Sequence, residues 1–223
     1  MKLAIHRATD VLRADPWAVR EGGAFTRLTQ LGMLLAACGL AYGAVMGSFG
    51  GFCGDRVLAV VYSAIKVPLL LVGTFVISLP SFFVVNTLMG LRADFAYAIR
   101  ALVATQAGLT VILASFAPFT IVWYLSFSDY DSAVVFNTIM FGAATLLSQQ
   151  LLRRFYGPLI RRDPRHRWVL LAWLVMYAFV GIQMGWMLRP FIGDPQMPVT
   201  FLRHQAWGNA YEALQKTVWA ALR

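Results

Sequence analysis

The chain has 223 residues, of which 59% are hydrophobic and only 13% are charged, whereas soluble domains carry about 25% charged residues. This composition excludes an ordinary water-soluble domain. The formal net charge of +9 would also suit nucleic-acid binding, but the basic residues fall in gaps between long apolar runs, which is typical of topology anchors. We therefore expect these charges to face the lipid bilayer and not nucleic acid.

The N-terminal segment, 1–27, is polar and holds five of the basic residues. We predict a short helix that lies on the membrane surface with its apolar side chains toward lipid. The side chains expected to face lipid are Leu3, Ile5, Val11, Leu12, Trp17 and Val19. The alternative is a frayed terminus in solvent, and both stay open.

The first predicted span, 28–49, has glycines at every fourth position, and such residues share one face of a helix. They are Gly39, Gly43, Gly47 and Gly51. Small residues at this spacing allow two helix backbones to approach closely in a membrane. The glycine face either packs against another span of the same chain or forms the seam of a homo-oligomer.

The second span, 67–91, is uncharged for 25 residues, which is enough to cross a hydrocarbon core about 30 Å thick. The stretch before it, 57–65, is apolar but too short to cross. We therefore predict a separate interfacial helix there, leading into a turn at Pro68. Pro80 lies in mid-span, where it removes a backbone hydrogen bond and predicts a kink.

Three further apolar runs complete a predicted all-α transmembrane bundle of five spans over 28–188. The third span uses most of the charge-free run 101–128, and Pro118 predicts a second kink within it. The fourth span covers about 133–152 and the fifth covers 168–188.

The connection between the fourth and fifth spans, 153–167, is the strongest polar feature. It holds six arginines: Arg153, Arg154, Arg161, Arg162, Arg165 and Arg167. They serve as a topology anchor, or they bind anionic lipid headgroups or a cytosolic partner. With five spans, 13 of the 19 Lys and Arg residues lie on the side of the N-terminus. The positive-inside rule then predicts a cytoplasmic N-terminus and an extracytoplasmic C-terminus.

The tail, 189–223, ends in a predicted amphipathic helix that starts near Asn209. Its aromatic and aliphatic side chains are expected to dock a partner protein. They are Trp207, Tyr211, Leu214, Val218 and Leu222. The alternative is a helix that lies on the outer leaflet or on the protein's own loops.

No ionisable residue falls inside the five predicted spans, and all three histidines lie outside them. No catalytic constellation is available at membrane depth, so we predict no enzymatic activity, no cofactor and no metal. Amides within the spans, such as Gln106 and Asn137, are expected to form hydrogen bonds between helices.

Three runs resemble bacterial members of the Yip family of five-span membrane proteins: YGAVMGSF (42–49), SAIKVPLLLVGTFVISLPSFFVVNTLMG (63–90) and LASFAP (113–118). The resemblance covers about 30–150. It implies a cytosolic N-terminus and, for a bacterial relative, the inner membrane. Eukaryotic relatives are implicated in vesicle traffic and bind small GTPases, but a region with that role is not recognisable in 1–27.

The missing ionisable groups, the glycine face and the amphipathic tail together predict a non-catalytic scaffold or accessory subunit of a larger membrane assembly. The predicted partners are other membrane protein subunits and anionic lipids, and a second copy of the chain is an alternative. The kinks at Pro80 and Pro118 support a different function, a channel or carrier for a neutral or lipid-like solute.

Overall fold

A computed structural model describes residues 2–19, 23–51, 54, 56–193 and 199–202, and this part of the chain is helical without strands. It contains six α-helices: α1 (Lys2–Leu12), α2 (Ala24–Gly47), α3 (Arg56–Leu88), α4 (Phe95–Ser126), α5 (Tyr130–Arg162) and α6 (His166–Met187). The last five are long and apolar enough to cross a membrane. The predicted fold class, an all-α membrane protein with five spans, is confirmed.

The spanning helices form a row in the order α5, α4, α2, α3 and α6, so that α2 packs between α3 and α4. The helices α5 and α6 follow each other in sequence, yet they make little contact and stand at the two edges. The connections between successive spanning helices are short, so neighbouring helices in the sequence run in opposite directions. The connections therefore alternate between the two ends of the row. We call the end with α1, 89–94 and 163–165 the arginine-rich end, and the end with 48–51, 127–129, 188–193 and 199–202 the opposite end.

The prediction of a separate interfacial helix at 57–65 is wrong, because α3 runs without interruption from Arg56 to Leu88. Pro68 therefore lies well inside the helix and not in its first turn. A proline there leaves one carbonyl unpaired, but the close packing of α2 on this part of α3 holds the helix together.

The arginines predicted to lie in a loop are mostly helical, because α5 continues for three turns beyond the predicted span and ends at Arg162. Arginine is a good helix former, and Pro158 does not stop the helix. At its other end α5 begins after Asp129, whose carboxylate accepts a hydrogen bond from the Ser132 backbone N–H at 2.8 Å. This N-cap explains the sharp start of the helix.

The N-terminal helix α1 and the 3₁₀ turn Pro16–Val19 pack into the arginine-rich end against α2 and α4. Val11 is fully buried, and its Cγ1 would lie only 3.4 Å from a Cβ built on Gly108. The Val19 carbonyl accepts a hydrogen bond from Arg100 Nε at 3.1 Å. Gly108 leaves room mainly for Leu151 of α5, whose Cδ1 a Cβ there would overlap, while Val11 lies at ordinary van der Waals distance.

The prediction that the N-terminal valines face lipid is therefore wrong, since Val11 and Val19 lie in the protein core. Ile5 and Leu12 are exposed, as predicted. The side chains of the other two residues in that prediction lie outside the described part. The segment is helical, with one side packed against α2 and α4 and the other side exposed.

Candidate functional site

The arginine-rich end joins two connections of the chain through one carboxylate. Asp94 ends the 3₁₀ turn Arg92–Asp94 between α3 and α4. Its Oδ1 accepts a hydrogen bond from Arg162 at 2.7 Å, and its Oδ2 lies 3.3 Å from Nε2 of His166. The start of α4, the end of α5 and the start of α6 therefore meet at Asp94.

His166 is fully buried between two polar groups. Its Nδ1 lies 3.4 Å from the hydroxyl of Tyr156, on α5, while its other ring nitrogen faces Asp94. A carboxylate on one side and a phenol on the other fix the orientation of the imidazole. Because His166 has no exposed surface, this arrangement positions helices and offers no direct access to a substrate.

The second ion pair of this end lies at the turn between α5 and α6. The Arg165 guanidinium donates to Asp163 at 2.9 Å and to the Met89 carbonyl at 3.1 Å. The side-chain hydrogen bond from Arg165 lowers the pKa of Asp163 below its ordinary value. The pair is therefore complete at neutral pH and weakens as the pH falls through the lowered pKa of the carboxylate.

The six predicted lipid-binding or docking arginines thus divide into two groups. Arg162 and Arg165 bond to Asp94, Asp163 and the Met89 carbonyl and tie helices together. All six side chains are exposed, and the other four surround this end. They are Arg153, Arg154, Arg161 and Arg167.

The glycine face of α2 packs against α3 of the same chain. A Cβ built on Gly43 would overlap the Ser63 carbonyl oxygen and lie 2.8 Å from Ala64 Cα. A Cβ on Gly47 would lie 2.8 Å from Val60 Cα, and one on Gly39 would lie 3.4 Å from Pro68 Cβ. This is the intramolecular alternative of the two that the spacing leaves open.

Gly51 does not belong to this face, because α2 ends at Gly47 and Gly51 has a φ of +94° with nothing near its Cβ position. Pro80 lies inside α3 and Pro118 inside α4, and both helices continue on each side. Near Pro80, the Ser78 hydroxyl donates to the Thr74 carbonyl at 2.8 Å and not to the carbonyl freed by the proline. Kinks at the two prolines stay predictions.

The predicted docking residues of the tail lie outside the described residues. They are Trp207, Tyr211, Leu214, Val218 and Leu222. The predicted amphipathic helix around them likewise falls in a part of the chain that the structure does not describe.

The predicted spans contain no charged residue, but α3 extends beyond the predicted span toward the N-terminus and carries Lys66, which is 1% exposed. Its ammonium donates to the Pro190 carbonyl at 2.6 Å and to the Thr200 carbonyl at 3.3 Å. The Phe201 ring lies 5.3 Å from the ammonium. The sequence alone places Lys66 at the boundary of a span, because it predicts that the helix over 57–65 is separate from that span.

Neighbouring contacts strengthen the attachment of the segment after α6 to α3. The Ser63 hydroxyl donates to the Phe191 carbonyl, and Arg56 donates to the Gly193 carbonyl at 3.2 Å. We call the contacts made by Arg56, Ser63 and Lys66 the Lys66 clasp. The clasp holds 190–193 and 199–202 over the first three turns of α3.

Replacing Lys66 with methionine is expected to release the clasp, because two charge-assisted hydrogen bonds disappear and each is worth about 1.5–3 kcal/mol. Chymotryptic cleavage after Phe191 or Phe201 in detergent should then accelerate by on the order of tenfold or more. Ile65→Met, one residue away on an exposed position, is the matched control. Equal cleavage rates in both variants would show that Lys66 does not hold the segment.

A polar network links α2, α4 and α5 toward the opposite end. The Asn137 amide donates to the Tyr124 hydroxyl at 2.7 Å and accepts from the Tyr42 hydroxyl at 3.3 Å. Tyr124 in turn donates to the Met46 carbonyl at 3.2 Å. The prediction that Asn137 makes hydrogen bonds between helices is confirmed, and the network joins α5, at one edge of the row, to α4 and α2.

Within the described residues, no group of three or more His, Cys, Asp and Glu side chains is arranged to hold a metal ion. Comparisons with protein families, with characterised proteins and with solved structures found no match to this chain. The resemblance to the Yip family therefore stays a prediction.

Proposed function

We propose that this integral membrane protein is a non-catalytic scaffold or accessory subunit of a larger membrane assembly. The observation that carries the proposal is that α6 is fully buried only near its N-terminal end. Its buried residues, from His166 to Trp173, all lie in its first eight positions. Beyond them the helix presents large apolar side chains outward, with Val175 61%, Phe179 59% and Ile182 50% exposed.

The position of α6 supports a partner on this face. The helix stands at the edge of the row and packs mainly on α3. A Cβ built on Gly185 would meet nothing within 4 Å, so another helix has room to approach the backbone there. Asp94, Lys66 and Asn137, by contrast, bond to other parts of the same bundle.

We propose for the orientation that the arginine-rich end faces the cytoplasm of a bacterial inner membrane, with the C-terminus outside. The four arginines that were not assigned to tying helices together, Arg153, Arg154, Arg161 and Arg167, then lie beside anionic headgroups, and each contributes about 1 kcal/mol of attraction. The predicted resemblance to the Yip family implies the same orientation.

Photo-crosslinking in intact membranes tests the scaffold proposal. A photoreactive amino acid at Phe179 should form a discrete protein adduct, either with another subunit or with a second copy of the chain. The matched control is Phe119 on α4, whose side chain is 62% exposed. Gly185→Leu should abolish the adduct at Phe179. Lipid adducts alone at both positions, together with a lone monomer in mild detergent, would refute the proposal.

A carrier for a neutral or lipid-like solute is the second candidate. The observation that favours it is a set of buried polar oxygens without hydrogen-bond partners, on Thr74, Gln106 and Tyr177 of three different helices.

A further inference from the structure

Three side-chain oxygens on α3, α4 and α6 are buried without a hydrogen bond to the described protein. Thr74 is 1% exposed and Gln106 is 9% exposed. Thr74 Oγ1, Gln106 Oε1 and the Tyr177 hydroxyl are all inaccessible to solvent and lack partners. A buried polar group without a partner costs about 1–3 kcal/mol, and hydrocarbon surroundings offer no water to compensate.

The three groups converge from three helices. The Tyr177 hydroxyl lies beside the Gln106 side chain, but the two do not reach hydrogen-bond geometry. One turn further along α6, a Cβ built on Gly181 would lie 4.0 Å from Thr74 Oγ1. The glycine therefore leaves room for about one methyl group beside the threonine hydroxyl.

The surroundings define what ligand would suit this space. Trp173, one turn before Tyr177, packs on it with ring centroids 5.5 Å apart, and Phe75 packs on Trp173 at 5.4 Å. The stretches 67–88, 101–126 and 168–187 contain no charged residue. The walls are apolar and uncharged, so a charged headgroup would be poorly solvated here.

The hydrogen-bonding groups narrow the range of suitable ligands further. The Gln106 carbonyl oxygen can only accept, whereas the two hydroxyls can both donate and accept. A ligand hydroxyl does both as well, and one hydroxyl can satisfy more than one of these groups.

We propose that Thr74, Gln106 and Tyr177 form a mid-membrane binding site for the hydroxyl headgroup of a neutral lipid such as a diacylglycerol. Thr74 lies about 21 Å along α3 from Leu88 and about 27 Å from Arg56, far from either end. Tyr177 is half-buried on the edge helix, so a lipid reaches the site sideways. The site is independent of the scaffold proposal, because a bound lipid suits either a scaffold or a carrier.

The test uses the purified full chain in phosphatidylcholine nanodiscs that contain a photoactivatable diacylglycerol. Labelling should map to 67–78 or 173–184, and dioleoylglycerol should raise the melting temperature. Gly181→Ala fits without a clash, since its nearest contact is 3.5 Å, and fills the space beside Thr74. Both Gly181→Ala and Tyr177→Phe should reduce labelling about fivefold to tenfold, the equivalent of one hydrogen bond.

The matched control is Thr105→Val, next to Gln106. The Thr105 hydroxyl already donates to the Ala101 carbonyl of its own helix at 2.9 Å, so labelling should stay at the wild-type level. Equal labelling of all variants, or equal labelling by a photoactivatable phosphatidylcholine, would overturn the proposal. A Tyr177→Phe variant that melts higher than wild type, with no effect of dioleoylglycerol on either protein, would show an unoccupied hydroxyl or a trapped water and would overturn it too.

Discussion

Replacing Gly43 with leucine is expected to prevent α2 and α3 from packing and to destabilise the bundle by about 3 kcal/mol or more. Even a single Cβ at this position would overlap the Ser63 carbonyl oxygen, which is backbone and cannot rotate away. Gly43→Ala should therefore already lower the melting temperature. Size-exclusion chromatography with fluorescence detection after heating in detergent measures the loss of folded protein.

Gly142→Leu is the control for this prediction, because a Cβ at Gly142 meets nothing within 4 Å while the helix propensity changes in the same way. It should retain the wild-type melting temperature or exceed it. If Gly43→Leu instead stays as stable as wild type and changes only the particle size, the glycine face is the seam of an oligomer.

Replacing Asp94 with alanine is expected to lower the free energy of unfolding by about 3 kcal/mol, because it removes the acceptor shared by Arg162 and His166. Hydrogen bonds to charged groups contribute about 1.5–3 kcal/mol each, and the solvent exposure of Arg162 reduces its share. His166 would also be left buried with only Tyr156 beside it. Unfolding by increasing denaturing detergent measures the effect.

Asp131→Ala provides the comparison, since Asp131 is an exposed carboxylate in the first turn of α5. Its loss should cost only about 0.3–1 kcal/mol, the contribution of a charge at a helix N-terminus. Asp94→Asn, which keeps an acceptor oxygen, should fall between the two. Equal stability of Asp94→Ala and Asp131→Ala would show that the Asp94 contacts do not hold the helices together.

Hydropathy predicted the number and approximate position of the spanning helices, because about 20 apolar residues are needed to cross a bilayer. It could not predict where the helices end. Helix α5 extends beyond the apolar run because arginines at 153–162 remain helical outside lipid. Helix α3 begins at Arg56 because packing of Gly43 and Gly47 on its first turns overrides the break expected at Pro68.

The sequence predicted only part of the candidate site. The density of arginines indicated the polar end, but the carboxylate that organises it, Asp94, lies 72 residues before His166. Pairings at that distance depend on the order of helices in the row, which hydropathy does not encode. For the same reason, hydropathy could not predict the carbonyl partners of Lys66 or the packing of Leu151 against Gly108.

The Lys66 clasp has a consequence for membrane insertion. The ammonium emerges from the ribosome 124 residues before the Pro190 carbonyl that it binds. Until α6 is in place the Pro190 and Thr200 carbonyls are absent, so we expect the ammonium to stay at the lipid–water boundary, because a charge in hydrocarbon is costly. A chain that stops short of Pro190 would therefore keep Lys66 without these two carbonyl partners.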